Sequence, residues 1–540
     1  MLLRSRSLVV PAAATLLLAG LAAPAAPPAQ AAPPPSAVPK PQQYATEAAD
    51  VMSARVLARL SGKRVEALSE RDESATTWVN PDGSLTSELS SGPIRFQRDG
   101  KWVDVDLTLE PAADGSIIPR AHPEGLRLGG AGGTRARSMA ETRTAKARTL
   151  ATIGEGDQQI TLQWKGGLPK PDVDGTTVTY PNAVPGADVV VEATRTGFEQ
   201  YTVIKERPAT SAYSYTLPLR ARGLTVTEQA DGSLVFTDAR KRKRAVMPAP
   251  MMWDARTDPL SGEHTNRAPV GLDVVKRGDT VDLVLTPDPA FLADPATVYP
   301  VTVDPTTAAL GNVFDTRVQQ GETVDWSADT ELYWGNPGTT NADGSTRYAR
   351  AFITWNTAPI ADSIVMDAKV SLYNFHSGDT GCTAQTWQIW DTTAPSTASR
   401  WANQPTWNEL FASPTQTKGR SECGGDGWIT GDVTSMVSFW AGAKYARSHM
   451  GLRAPSAATA EWKQVNSGNA ATNVPKLTVT YNYRPRTGTK QEAGPPYFSY
   501  GGAYTVNTTT PMLRDTFVDS NGDKVQATFQ VYDTPGVDPV

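Results

Sequence analysis

The amino-acid sequence predicts an all-β, multi-domain protein built from antiparallel β-sandwich modules, and three observations carry that expectation. Asp-Gly pairs, a strong short-range hairpin signal, start at residues 82, 99, 114, 174, 231, 343 and 426. The 540 residues include 44 glycines and 42 prolines, with 20% charged residues, a balance that suits many short strands joined by tight turns. Runs such as "KWVDVDLTL" alternate apolar and polar residues with the period of two that a half-buried strand requires. The length exceeds what one core organises, so several domains are expected.

The first segment is a targeting signal. "MLLRSRSLVVPAAATLLLAGLAAPAA" places Arg4 and Arg6 before an apolar run, and Ala29-Gln30-Ala31 is a small-x-small site. This reads as a secretory signal peptide over 1–31, cleaved after Ala31. No later stretch approaches 18 apolar residues, so no transmembrane segment is expected once the signal is removed. The mature chain is therefore placed outside the cell or at its surface. Residues 32–71 read as a disordered or extended Pro/Ala-rich linker followed by a weakly helical pattern over Val51–Arg71.

Residues 72–305 read as an N-terminal all-β region of one or two domains. "GPIRFQRDGKWVDVDLTL" is a hairpin turning at Asp99-Gly100, with Val103, Val105, Leu107 and Leu109 on one face. "LGGAGGTRARSMAETRTAKART" (128–149) reads as a flexible insertion. "QQITLQW", "DVVVEATRTGFEQYTVI", "GSLVFTD" and "TVDLVLT" read as further strands. The basic run Lys241-Arg242-Lys243-Arg244 is expected to be a solvated loop.

The texture changes near Asn312. Between there and Tyr483 lie ten of the 14 tryptophans, only five lysines, and twelve basic against fifteen acidic residues. Residues 308–485 are predicted to form a jelly-roll-like sandwich with one short helix. Within "GDVTSMVSFWAGAKYARSHMGLRAP", Val433, Met436, Val437 and Trp440 follow helical spacing, Asp432 or Thr434 caps the start, and Gly442 ends it. The next strand turns Met450 and Leu452 inward. Asp432, His449 and Arg453 thus read as structure rather than as a catalytic constellation. Cys382 and Cys423 are the only cysteines. In an oxidising compartment they are expected to form a disulfide, worth about 3–4 kcal/mol for a loop of about 42 residues.

Residues 486–540 read as a linker and the start of an incomplete immunoglobulin-like β-domain. Asp519-Ser520-Asn521-Gly522-Asp523 resembles the opening of a calcium loop, but the glycine is one place early and no glutamate follows at position twelve. A hairpin at Asn521-Gly522 is the expectation there, and neither a cofactor nor a metal site is expected. G-x-S-x-G, H-E-x-x-H, G-x-x-x-x-G-K-[ST] and C-x-x-C are all absent, and the four histidines are dispersed. The chain accordingly reads as not an enzyme. Its net charge of −5 and pI near 5.6 give no reason to expect a nucleic-acid partner.

"FDTRV" (314–318), "ELYWGN" (331–336), "RYARAFITWN" (347–356), "IVMDAKVSLYNF" (364–375), "RWANQPTWNE" (400–409), "GDVTSMVSFW" (431–440), "MGLRAP" and "PKLTVTYNY" (475–483) follow one another in the order of a known module. Residues 312–483 resemble a DNRLRE domain, a sandwich of secreted bacterial proteins related to carbohydrate-binding modules. The preceding region is similar to the N-terminal β-region of large actinobacterial secreted proteins, some of which continue into RHS/YD repeats or a toxin tip. The resemblance implies a secreted modular protein whose DNRLRE-like domain binds carbohydrate or cell-wall polysaccharide by aromatic stacking. Trp334 and Trp390 are the candidate rings, with Arg350 and Lys463 as polar partners. Two alternatives stand beside it. One is a structural presentation arm for an RHS/YD-type effector or toxin, with the C-terminal domains of a longer chain as partners. The other is a glycan-active hydrolase with an unrecognised carboxylate pair.

Overall fold

The computed structural model describes residues 44–530 apart from 134–137, 139–140, 142–143, 155, 210–212, 278–279, 310, 312, 487, 489, 495–496, 502, 520 and 523. The signal peptide, its cleavage point Ala31 and most of the Pro/Ala-rich linker lie outside the described residues, as do residues 134–137, 139–140 and 142–143 of the 128–149 insertion, whose ends belong to strands Arg127–Leu128 and Ala147–Ile153. The architecture is all-β and antiparallel apart from the parallel pair Glu47–Ala48 and Val65–Ala67, with three α-helices among the described residues. None of them is long and apolar enough to cross a membrane.

Two β-sandwiches are present, and one is inserted into the other. The outer sandwich has a nine-stranded sheet that runs Glu47–Ala48, Val65–Ala67, Ala75–Val79, Leu85–Ser90, Lys476–Tyr483, Ser363–Ser377, Lys463–Asn466 and Glu331–Trp334, with Gly427–Asp432 also paired to Ser363–Ser377. Its second sheet has five strands, Phe314–Gln319, Ala349–Asn356, Arg447–Arg453, Gln388–Thr392 and Trp407–Ala412. One core joins them: Leu332, Trp334, Val370 and Leu372 from the first sheet pack with Ile353, Trp355, Ile389 and Met450 from the second. The inner sandwich comprises an eight-stranded and an eleven-stranded sheet drawn from residues 106–309, with a separate core that includes Trp164, Tyr180, Phe198 and Phe236.

The nesting departs from the expected division of the chain. Residues 72–90, read as part of the N-terminal β-region, pair instead with the last strand of the outer sandwich, with Leu89 opposite Leu477 and Leu85 opposite Tyr481. Residues 47–67, read as linker and helix, supply two more strands and helix α1 (Val51–Ser61) to the same body. Such pairing between segments nearly 400 residues apart leaves no local signature in the sequence. Helix α1 is capped by Asp50, whose Oδ1 accepts from Ser53 N at 2.8 Å. It ends well short of Arg71 because Gly62 takes a left-handed conformation, φ 66°, that lets the chain turn into a strand.

Local expectations fare better. Asp99 and Gly100 have φ of 52° and 72°, the paired positive values of a type I′ turn, and link Arg95–Arg98 to Lys101–Asp104. The long strand expected after this turn divides, however. Lys101–Asp104 stays in a two-stranded ribbon, while Asp106–Pro111 enters the eight-stranded sheet and buries Leu107 and Leu109. Lys241-Arg242-Lys243-Arg244 is exposed as expected, but only Lys241 and Arg242 lie in a loop, and Lys243 and Arg244 open strand Lys243–Met247. Helix α2 (Pro289–Ala293) is capped by Asp288.

Helix α3 (Thr434–Gly442) buries Val433, Met436, Val437 and Trp440 as the spacing demands. Asp432 Oδ1 accepts from Thr434 N at 2.9 Å, and the Trp440 indole donates to Asp391 Oδ1 at 2.7 Å. Cys382 and Cys423 form a disulfide with their Cα atoms 5.1 Å apart. Asn521-Gly522 does not form a hairpin. No strand flanks it among the described residues, and the buried Asn521 amide donates to Asn482 Oδ1 at 2.7 Å and Gly83 O at 3.3 Å. Those two acceptors hold Asn521 against the outer sandwich, within a turn closed by Gly522 N donating to Asp519 O at 3.2 Å.

Candidate functional site

Strand geometry builds a charged cavity where the two sandwiches meet. On strand Gly197–Ile204 of the inner sandwich, Glu199 and Tyr201 are two residues apart and so share one face. On strand Glu331–Trp334 of the outer sandwich, Glu331 and Tyr333 repeat the same Glu-x-Tyr spacing. In each pair the phenol hydroxyl donates to the glutamate carboxylate. Asp304, at the end of strand Val301–Asp304, joins them and accepts from Thr306 Oγ1 at 2.9 Å. The turn from Val324 to Thr330 closes the other side with Asp325, Trp326 and Asp329. Trp253, His264 and Arg267 complete the lining of a cavity of about 210 Å³.

Arg317 is the principal counter-charge. Its Nη1 lies 2.6 Å from Asp329 Oδ2 and donates to the Glu331 carbonyl at 2.8 Å. Its guanidinium is sandwiched between the rings of Trp326 and Tyr333, at 4.2 and 4.0 Å. Burial opposes the arginine charge, but the attraction of Asp329, Tyr333 and Glu331 outweighs it and raises the Arg317 pKa. Arg267 turns toward Glu322, 3.7 Å away, and its Nε donates to the His264 carbonyl.

The remaining acids outnumber the bases. Burial, then the neighbouring Asp304 and Asp329, pushes the Glu199 carboxyl well above the usual range, and burial with Asp329 raises Glu331. Burial pushes Asp304 up to about 7 and Asp325 up to about 6. His264 moves the other way, lowered by burial and by Arg267. A carboxyl whose folded pKa is raised favours folding while protonated, so its contribution is complete below about pH 4 and lost as pH rises through the folded value. Between pH 5 and about 6.5 the four histidines, each lowered by burial, oppose this trend, so the melting temperature is expected to fall between pH 7 and pH 8 at constant ionic strength. A flat or rising melting temperature by scanning calorimetry would show that these groups are not raised.

The residues expected to bind sugar are not in this cavity and do not form one site. Trp334 is fully buried and packs on Trp387 with centroids 5.6 Å apart. Lys463 lies opposite it in register and is fully buried, with its amine lowered to about 8 by burial. Both positions alternate into the core face, so neither can present a binding surface. Trp390 and Arg350 lie half-buried on the five-stranded sheet. Arg350 sits over Trp401 and Trp407, and Arg453 over Trp407 and Trp390. His449 Nδ1 bonds Thr354 Oγ1 at 3.0 Å, while Asp432, one residue before the helix cap position Val433, accepts from Thr434, so no Asp432–His449–Arg453 centre forms. The Glu199, Glu331 and Asp304 cavity was signalled only by "EQY" and "ELY", where a glutamate interrupts an apolar strand two residues from a tyrosine.

No family model matches the chain. Among curated proteins it is similar to the tRNA nuclease WapA of Bacillus subtilis (strain 168), 25% identical over 438 residues that make 78% of this chain and 18% of that protein. It is also similar to the tRNA3(Ser)-specific nuclease WapA of Bacillus spizizenii, 24% identical over 438 residues, with the same 78% and 18% coverage. The tRNA(Glu)-specific nuclease WapA of Bacillus subtilis subsp. natto is 25% identical over 445 residues, again 78% of this chain and 18% of the relative. The chain thus spans less than a fifth of the length of the curated relatives it matches. Their names overturn three expectations: a carbohydrate-binding protein with a polysaccharide partner, the absence of a nucleic-acid partner, and a protein that is not an enzyme.

Proposed function

We propose that this chain is a section of a secreted nuclease effector that acts on tRNA, and that the nested sandwiches are the arm that carries and presents the nuclease. The observation that supports this is similarity to proteins named as tRNA nucleases, spread over 78% of the chain rather than confined to one short motif. The charge of the cavity supports the division of labour. Glu199, Asp304, Asp325 and Glu331 would repel a phosphodiester backbone, which basic side chains normally draw in. The phosphodiester chemistry is therefore assigned to sequence outside the described residues. The signal-like first 31 residues and the Cys382–Cys423 disulfide fit export to an oxidising compartment. The order of motifs over 312–483 supports reading the outer sandwich as a DNRLRE-like module within that arm.

Induced expression inside a heterologous bacterium tests this reading. The gene's full product, without residues 1–31, is expected to arrest growth with cleaved tRNA. The chain as far as residue 540, expressed to the same level, is expected to leave growth and tRNA unchanged. Arrest with intact tRNA, or no arrest by the full product, would contradict the reading.

A further inference from the structure

The cavity between the sandwiches holds more negative charge than its own bases neutralise. Arg317 is committed to Asp329 at 2.6 Å, while Arg267 makes a 3.7 Å contact with Glu322, which is itself paired to Arg347 at 2.6 Å, and attracts Glu331 through its charge. Among the described residues, no lysine or arginine lies within ion-pair distance of the carboxylates of Glu199, Asp304, Asp325 or Glu331. Each accepts a single hydrogen bond from its own strand or turn: Tyr201, Thr306, Ser327 N and Tyr333 are the donors. A second observation points inward. Asp325 lines the cavity and is 2% exposed, and its Oδ2 has no hydrogen-bond partner, with the Ser327 hydroxyl beside it likewise unpartnered. A buried carboxylate oxygen left in that state is costly unless something in the cavity donates to it.

The walls narrow the choice of donor. Tyr201, Trp253, Trp326 and Tyr333 line the cavity, and aromatic faces attract organic cations through their quadrupoles. The described residues contain no cluster of three or more side chains placed to hold a metal ion. At about 210 Å³ the space is far larger than one water needs. We propose that this acid-and-aromatic cavity binds a small organic cation carrying an ammonium or guanidinium group, with Glu199, Asp304, Asp325 and Glu331 as its acceptors. Binding draws on elements of both sandwiches at once, so the ligand ties the inner to the outer body. This goes beyond the nuclease reading and does not depend on it.

Isothermal titration of the 540-residue chain at pH 8 tests the proposal. The free-cation probes are agmatine and putrescine, a short arginine-containing peptide probes a basic side chain, and butane-1,4-diol is the neutral control. Saturable binding of at least one cation, with none of the diol, is expected. Glu331→Gln and Asp304→Asn keep the size of each side chain and an acceptor for its hydroxyl donor, and each is expected to weaken binding at least about tenfold. Both are also expected to raise the melting temperature of the unliganded protein at pH 8, because they remove buried negative charge. That second readout separates a folded variant that has lost its ligand from a misfolded one. Binding by agmatine or putrescine identifies a free amine as the source, and binding by the peptide alone identifies a basic side chain; either supports the site. No saturable binding up to about 10 mM for any cation, or affinity unchanged in both variants, would overturn it.

Discussion

Replacing Arg317 with methionine is expected to destabilise the protein by about 3–5 kcal/mol at pH 8, and by clearly less at pH 5. The arginine is 2% exposed, ion-paired to Asp329 at 2.6 Å and held between two aromatic rings. Methionine fills much of the same volume, so the loss is mainly electrostatic. At pH 8 it leaves Asp329 beside Glu331 with no counter-charge in a low-dielectric site. At pH 5 the raised carboxyls, Asp304 near 7 and Asp325 near 6 among them, are mostly protonated and the repulsion is relieved. Arg317→Lys is expected to fall between, because an ammonium keeps the charge but loses the planar stacking. Urea unfolding at the two pH values measures this. A loss below about 1 kcal/mol, or one equal at both pH values, would mean that Arg317 does not hold the seam.

A fragment of residues 308–485 is expected not to fold by itself, although its texture marks it as a separate unit. Strand Lys476–Tyr483 would lose its partner Leu85–Ser90 and the register that runs from Lys476 opposite Ser90 to Tyr481 opposite Leu85. The core would lose Val65, Val79, Leu85 and Leu89, each 2% exposed or less. At about 1.5–3 kcal/mol for each large apolar side chain, that loss is comparable with the whole stability of a typical domain. It also exposes an apolar edge strand that invites aggregation. Joining residues 44–90 to the fragment through a flexible linker is expected to restore a dispersed NMR spectrum. A well-dispersed spectrum from 308–485 alone would contradict the nested fold.

Legibility in the sequence followed the range of the interactions concerned. Elements fixed by near neighbours were readable: the Asp99-Gly100 turn, the buried stripe of helix α3, and the inward Met450 and Leu452. The Cys382–Cys423 bond was readable too, because two cysteines in an exported chain have one pairing. What depended on distant partners was not. The strands between residues 47 and 90 belong with Lys476–Tyr483, and nothing within a few residues of either says so. Asn521-Gly522 carries a hairpin spelling, yet distant acceptors at Gly83 and Asn482 claim the asparagine. The tryptophans misled for a related reason. Trp334 and Trp390 have similar local surroundings, but only the opposing sheet decides which is buried. The cavity draws its acids from three separated stretches, so its residues were in view without their meeting being visible.

The most direct measurement of the central claim is tRNA cleavage by purified protein. The full gene product and the 540-residue chain are each incubated with total tRNA, and the fragment ends are read by sequencing. The expected result is a defined cut in one or a few tRNAs by the full product, and intact tRNA with the 540-residue chain. Intact tRNA in both reactions would contradict the nuclease assignment, and cutting by the 540-residue chain would contradict the view of its sandwiches as a carrying arm.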